Sequence, residues 1–281
     1  MNTDLITLTQ DGSVEAEGKT IAVLEKSADA LFPTLKMKPY DDAVAAKIKE
    51  ILTKALEPVL KAKSILDEEK ASGKVRGIVF QVTEKFGTME KDDIKDYFDG
   101  ITDEDKKVLA KAGLRVGFKY VFFPLLLKPA SQKILAMLWK INNDFRDFKG
   151  GVFADGKMSL EVEKNVPKGL YIAQGYIPAG KRALRVDVME RFTAKLREIT
   201  RQDKEKAVPL PLDLLSTAGL KRDEAADIFD RLGFLVITKD DTLMLMPKFK
   251  RKQKKTDPKQ AEKTADSSDS PFSILKTLKK P

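Results

Sequence analysis

LLSTAGLKRDEAADIFDRLGFLVITKDDTLMLM, Leu214 to Met246, decides how the end of this chain is read. A helix beginning near Pro209 is predicted to stop at Ala218-Gly219, because glycine accepts the left-handed conformation that closes a helix. The next helix, from about Lys221 to Leu232, stops at Gly233 for the same reason. Phe234 to Thr238 and Thr242 to Met246 are β-rich runs on either side of Asp240-Asp241, the pattern of a hairpin. One element earlier, about Asp187 to Arg201 reads as a helix. Three helices followed by a β-ribbon is the order of a winged helix-turn-helix. Its predicted core is Leu214, Leu215, Ile228, Phe229, Leu232 and Phe234. The third helix sets Lys221, Arg222 and Arg231 against Asp223, Glu224, Asp227 and Asp230. An acidic helix reads a major groove poorly, which favours a structural or protein-contacting unit over sequence-specific DNA binding.

Upstream, the pattern is mostly helical with short strands. Leu5, Ile6 and Leu8, a turn at Asp11-Gly12, and Thr20 to Leu24 predict an N-terminal β-hairpin. Val44, Ile48, Ile51, Leu52, Ala55, Leu56, Val59 and Leu60 keep the helical rhythm. Asp41 or Asp42 caps that helix, Pro58 breaks or kinks it near Glu57, and Ser72-Gly73 closes it. A helix follows from about Lys74 to Phe86, and Gly77 inside it implies a close helix contact. Asp92 to Phe98 is predicted as a short helix, and Thr102 with Asp105 forms a capping box. RVGFKYVFF, residues 115–123, reads as one strand stopped by Pro124, and Pro129 opens the helix carrying Leu135, Leu138 and Trp139. The expected class is α+β, mostly helical. The expected divisions are a β segment at 1–38, a helical body at 39–144 and a connector with short strands at 145–186. They continue with the winged-helix-like unit at 187–249, a disordered basic linker at 250–269 and a short amphipathic terminal motif at 270–281.

Composition narrows the chemistry. The chain has no His and no Cys, so no imidazole base, thiol nucleophile, disulfide or Cys/His metal site can be built from it. The net charge is +9, but it is uneven. Pro247 to Pro281 holds 11 Lys/Arg against 4 Asp/Glu, a charge of +7, and the other residues carry only +2. Such asymmetry points either to an anionic partner for the tail or to a solvated, disordered tail that keeps the protein soluble. The longest apolar run, Tyr120 to Leu127, is far short of the ~20 residues of a membrane helix. Without a basic leader before an apolar stretch, a cytoplasmic protein is expected, with no membrane partner.

Two stretches fit the phosphate-cradling pattern G-x-x-x-x-G-K: GVFADGK, Gly151 to Lys157, and GYIPAGK, Gly175 to Lys181. Neither has the Ser or Thr that would hold Mg²⁺, so both are read as turns in β segments, and a weak NTPase ranks third among the functions. Within 115–123, Phe118, Tyr120 and Phe122 would lie on one strand face and stack bases together or not at all, although a core strand is the simpler reading. Lys181, Arg182, Arg185, Arg191, Lys195 and Arg197 gather in one segment, as a phosphate-tracking cluster or as a salt-bridged face with Asp187, Glu190 and Glu198. The tail offers a denser block, Lys248, Lys250, Arg251, Lys252, Lys254 and Lys255. After it, Ser270-Pro271 opens a short motif with Phe272, Leu275 and Leu278 on one side, suited to docking in a partner's groove.

Several blocks resemble one family. RGIVF (76–80), LRVGFKYVFFPLLLKPA (114–130), LW (138–139), RALRVDVMERF (182–192), LLSTAGLKRDEAADIFDRLGF (214–234) and DSPFSILKTLK (269–279) resemble the region after the motor domains in alphaproteobacterial superfamily-two helicases related to the mitochondrial degradosome RNA helicase. That resemblance implies an accessory role beside a motor. It does not carry helicase activity over, because this chain has no Walker A motif with Ser/Thr and no DExH box. A motor on a separate polypeptide, or a truncated or split relative, is expected. The first functional expectation is therefore a non-catalytic, cofactor-free module of RNA metabolism that binds RNA or single-stranded nucleic acid beside a helicase motor or RNA-processing protein. The alternative is a protein–protein adaptor docking through the terminal motif.

Overall fold

The computed structural model describes residues 5–153, 155–201, 207–239 and 242–248. Four strands open the chain: β1 (Ile6–Leu8), β2 (Ser13–Ala16), β3 (Lys19–Glu25) and β4 (Thr34–Lys36), an antiparallel sheet in the order β1-β2-β3-β4. The expected hairpin is thus a meander. Val14 and Ala16 on β2, and Ala22 and Leu24 on β3, alternate inward at the period of a half-buried strand.

Helices α1 (Asp42–Ala55), α2 (Glu57–Glu68) and α3 (Gly73–Glu84) follow. Asp41 caps α1 by accepting from the N–H groups of Ala43 and Val44. Pro58 sits in the first turn of α2, where its missing N–H costs nothing, so the chain breaks at Leu56 instead of kinking. Ser72 does not close this helix pair. Its side chain accepts from Val75 N–H and opens α3. Gly77 is explained by contact: a Cβ there would lie 2.2 Å from the Tyr97 ring on α4 (Lys95–Phe98). Thr102 and Asp105 form the capping box of α5 (Asp103–Lys111), and Pro129 opens α6 (Pro129–Asn142).

Residues 115–123 do not form one strand. They form β6 (Arg115–Val116), a turn at 117–119, and β7 (Tyr120–Phe122). With β5 (Thr88–Glu90) they make a sheet in the order β5-β7-β6. A third sheet, β8-β10-β9, comprises β8 (Ser159–Glu161), β9 (Tyr176–Ala179) and β10 (Arg182–Arg185). A short helix the sequence reading missed, α7 (Lys168–Ala173), lies between β8 and β9. Then come α8 (Val186–Ile199), β11 (Val208–Pro209), α9 (Leu212–Thr217), α10 (Ala225–Arg231), β12 (Phe234–Lys239) and β13 (Thr242–Pro247), with the last sheet ordered β11-β13-β12. β12 and β13 pair antiparallel from Phe234↔Pro247 to Lys239↔Thr242. The turn expected at Asp240-Asp241 lies outside the described residues.

Two apolar cores share residues 1–247, which form one unit; of the second unit, 248–281, only Lys248 is described. The larger core joins β1–β3 to α1–α6 and α7. The smaller joins α8, α9, α10, β12 and β13, and contains Leu215, Ile228, Phe229, Leu232 and Phe234 as expected, with Leu214 packed at its edge. The strands between the cores are shared by period two. Val121 and Phe123 face the large core while Tyr120 and Phe122 face the small one. Tyr176 and Ile177 divide in the same way, as do Ala183 and Leu184.

Candidate nucleic-acid interface

The turn between β6 and β7 is built around a buried acid. Glu190 lies on the inner face of α8 among Val186, Met189, Thr193 and Leu196, and is 4% exposed. Its carboxylate accepts three consecutive backbone N–H groups, from Phe118 at 2.7 Å, Lys119 at 2.9 Å and Tyr120 at 2.7 Å. Charge-assisted bonds of this kind fix a loop firmly. Gly117 is required because a Cβ there would come within 2.2 Å of the Glu190 carboxyl carbon.

This arrangement overturns the expected stacking trio. Tyr120 and Phe122 are fully buried in the smaller core and present no face to a base. The turn interrupts the strand alternation on which the trio depended. Phe118 alone is displayed, at 54% exposure, with the Arg197 guanidinium 4.8 Å from its ring centroid. Such a cation–π pair is worth about 0.5–1 kcal/mol at an exposed site, enough to orient a ring that little else holds. Arg115 on the same hairpin is exposed, as are Arg191, Lys195 and Arg197 on α8, and Arg201 just beyond it. Lys195 also pairs with Glu198 at 3.1 Å.

Two of the expected phosphate contacts are spoken for. Arg182 is 14% exposed along its side chain; it donates to Ser159 Oγ at 2.6 Å and lies 3.8 Å from both Glu161 and Glu224. Arg185 donates to Asp187 through Nε at 2.6 Å and Nη2 at 3.0 Å, and to the Gly156 carbonyl at 3.1 Å. Burial works against a charge on Asp187, but the Arg185 hydrogen bonds and the charges of Arg185 and Arg191 outweigh it and hold its carboxyl below the ordinary value of 3.8. These guanidiniums are structural, Arg182 beside the largely buried Glu224 and Arg185 on Asp187, and are withdrawn as phosphate ligands. Lys181 stays exposed at the tip of the β9–β10 turn.

The loop motifs also find their places. Residues 175–181 are β9 and its turn, and a Cβ on Gly180 would come within 1.7 Å of the Asp227 carboxylate on α10. A phosphate cradled there would meet a negative charge. Described residues of 151–157 contain no strand or helix on which a phosphate loop could be hung. Among the described residues, no cluster of three or more Asp or Glu is arranged to hold a metal ion, and no helix is long and apolar enough to cross a membrane.

Lys248 is exposed at the end of β13. Lys250, Arg251, Lys252, Lys254, Lys255, Phe272, Leu275 and Leu278 lie outside the described residues. The salt-bridged face expected to include Glu190 is corrected: that acid is buried and holds backbone N–H groups, and the pairing of Arg197 with Phe118 was not foreseen. One signal was present: an acid at 190 interrupts the apolar stripe of α8, and a buried acid implies donors to satisfy it. No protein-family model matches the chain, nor does any curated protein or solved structure.

Proposed function

We propose that this chain is a non-catalytic module that binds RNA or single-stranded nucleic acid, serving beside a helicase motor or RNA-processing protein. One observation carries the reading: Phe118 is presented to solvent on a rigid turn, with Arg197 against its ring and exposed cations on the same hairpin and helix. An aromatic ring beside guanidiniums suits a single strand, whose bases stack on the ring while the cations follow the phosphates. The +7 of Pro247 to Pro281 adds a sequence-independent attraction for the same backbone. The resemblance of residues 76–279 to the post-motor region of degradosome-type helicases supports the accessory role. The order of α8, α9, α10, β12 and β13, with Phe229 at the centre of their core, supports a winged-helix-like unit. The acidic face of α10 leaves that unit as a scaffold for Phe118 and α8, not a groove reader.

The deciding experiment is a titration of labelled single-stranded RNA against the chain and its Phe118→Ala variant. The variant should keep its melting temperature and lose affinity about fivefold or more. No binding by the parent chain would leave the adaptor reading through residues 270–281 in its place.

A further inference from the structure

Where the two cores meet, the structure contains a cavity of about 490 Å³. Phe86, Trp139, Ile172 and Ile177 supply its apolar wall. Tyr120 lines it too, and this residue is the anomaly. Its ring is fully buried, yet its hydroxyl has no acceptor: the Arg231 guanidinium acts on its oxygen but can only donate, so the O–H itself is left unused. A buried O–H without an acceptor is a cost, and a phenylalanine would fill the same space without it. Burial, with Glu90 adding to it, outweighs the opposing Arg231 guanidinium and raises the pKa of the hydroxyl, so it stays protonated and able to donate.

The charges around the cavity define what it admits. Lys26, Lys85 and Arg231 are balanced by Glu84, Glu90 and Asp93, and Arg231 is paired with Glu90. A balanced rim gives a polyanion no net attraction and does not repel a neutral guest. Asn142 adds a fixed polar edge. Its side-chain NH₂ donates to the carbonyls of Ala30 at 2.8 Å and Leu138 at 2.9 Å, so what it offers a guest is an acceptor oxygen. An apolar wall, one buried donor and one locked acceptor describe a neutral, flat, hydrogen-bonding ring. Its volume lies within the range of small-molecule sites.

We propose that this cavity binds a nucleobase, with the Tyr120 hydroxyl as its fixed hydrogen-bonding contact. Taken as a base splayed from a bound strand, the proposal rests on the function proposed above; taken as a free nucleoside, it does not. The chemistry is the same, and the sources are separable by experiment. Trp139 is the only tryptophan in the chain, so its emission reports occupancy directly.

The test titrates the full chain with adenosine, guanosine, cytidine and uridine, and separately with a single-stranded oligonucleotide, following Trp139 emission. At least one nucleoside should give a saturable change. Tyr120→Phe should weaken that binding about five- to tenfold while the melting temperature stays level or rises. Tyr120→Phe removes one oxygen and leaves the ring in place, so a melting scan of the variant is a sufficient check of folding. No saturable change with any of the four nucleosides, or equal affinity in parent and folded variant, overturns the proposal. An oligonucleotide that binds without moving Trp139, with silent nucleosides, removes the cavity site and leaves the Phe118 surface standing. A nucleoside response without oligonucleotide binding keeps the site and removes the strand as its source.

Discussion

The Glu190 carboxylate accepts the backbone N–H of Tyr120 at 2.7 Å, across 70 positions of sequence. It also holds Phe118 and Lys119 N–H, so one side chain on α8 determines the shape of the turn that presents Phe118. Glutamine at 190 retains one acceptor oxygen and points an NH₂ at N–H groups it cannot satisfy. Glu190→Gln should therefore cost about 2–4 kcal/mol in urea unfolding. Gly117→Ala, which drives a methyl into the same carboxylate, should cost about 1–3 kcal/mol. A loss below about 0.5 kcal/mol in both would show that the turn stands without its anchor.

Phe118 and Arg197 separate binding from folding. Both are exposed, so alanine at either should change unfolding free energy by less than about 1 kcal/mol. Their effects on single-stranded RNA should be unlike. Phe118→Ala removes a stacking surface worth about 1–3 kcal/mol per base and should leave the salt dependence alone. Arg197→Ala removes a phosphate-facing charge and should flatten the salt slope by about 0.7 as well. If Arg197→Ala lowered affinity with no change in slope, its role would be limited to orienting the ring.

Asp187 gives a pH test. Its folded-state pKa lies below the ordinary 3.8, because the Arg185 and Arg191 charges overcome the burial that opposes its ionisation. A lowered folded pKa means that the stabilisation is complete above the unfolded value and is lost as pH falls through the folded one. Asp187→Asn should thus be less stable than the parent by about 1–2 kcal/mol at pH 7. The gap should hold down to about pH 5 and narrow below about pH 4. A gap that widened on acidification would contradict the Arg185–Asp187 pair as its source.

Local signals in the sequence were readable where the determinant lay within a few residues. The caps at Asp41 and Thr102, the breaks at Pro58 and Pro129, and the stops at Gly219 and Gly233 all concern neighbouring backbone groups. Ser72 was assigned to the wrong helix because a cap and a stop use overlapping residue types, and only the Val75 N–H shows which way it faces. The turn at 117–119 was not readable. Its three N–H groups are satisfied by an acid about 70 residues away, while the local run of aromatics favours a continuous strand. The salt-bridged alternative for the basic cluster holds for Arg185, whose partner Asp187 is two residues on, whereas the Glu224 that faces Arg182 lies on another element, beyond the reach of local pattern. The six residues of α7, placed between strands, are too few for periodicity to declare.

Phe229 tests the smaller core as a unit. It is fully buried and stacks on Phe192 of α8, with ring centroids 6.1 Å apart. Phe229→Ala should cost about 3–5 kcal/mol. Because Tyr120 shares that core, the same substitution should loosen the turn at 117–119 and increase hydrogen exchange at Phe118 and Lys119. A loss under 1 kcal/mol would mean that α8 and α10 are not held together through this contact.

The basic tail should dominate the affinity of the chain for a single strand. Pro247 to Pro281 carries +7 and the remaining residues carry +2. The body has also lost Arg182 and Arg185 as phosphate ligands, since internal carboxylates hold them. Its remaining exposed cations are nearly balanced by carboxylates, and some are paired outright, as Lys195 is with Glu198. If Lys248 to Lys255 neutralises about four to six phosphates, log K against log salt should fall with a slope near −3 to −4 on single-stranded RNA. Removing 248–281 should reduce the slope to about a third or less, the residue coming from Arg115, Lys181, Arg191 and Arg197. Removing only 270–281 should leave it nearly unchanged, because Phe272, Leu275 and Leu278 are assigned to a protein partner. Salt titrations of the three chains with labelled oligo-RNA decide the matter. Equal slopes with and without the tail would transfer the electrostatics to α8 and the β6–β7 turn. Loss of binding on removing 270–281 alone would tie the terminal motif to RNA and not to a protein.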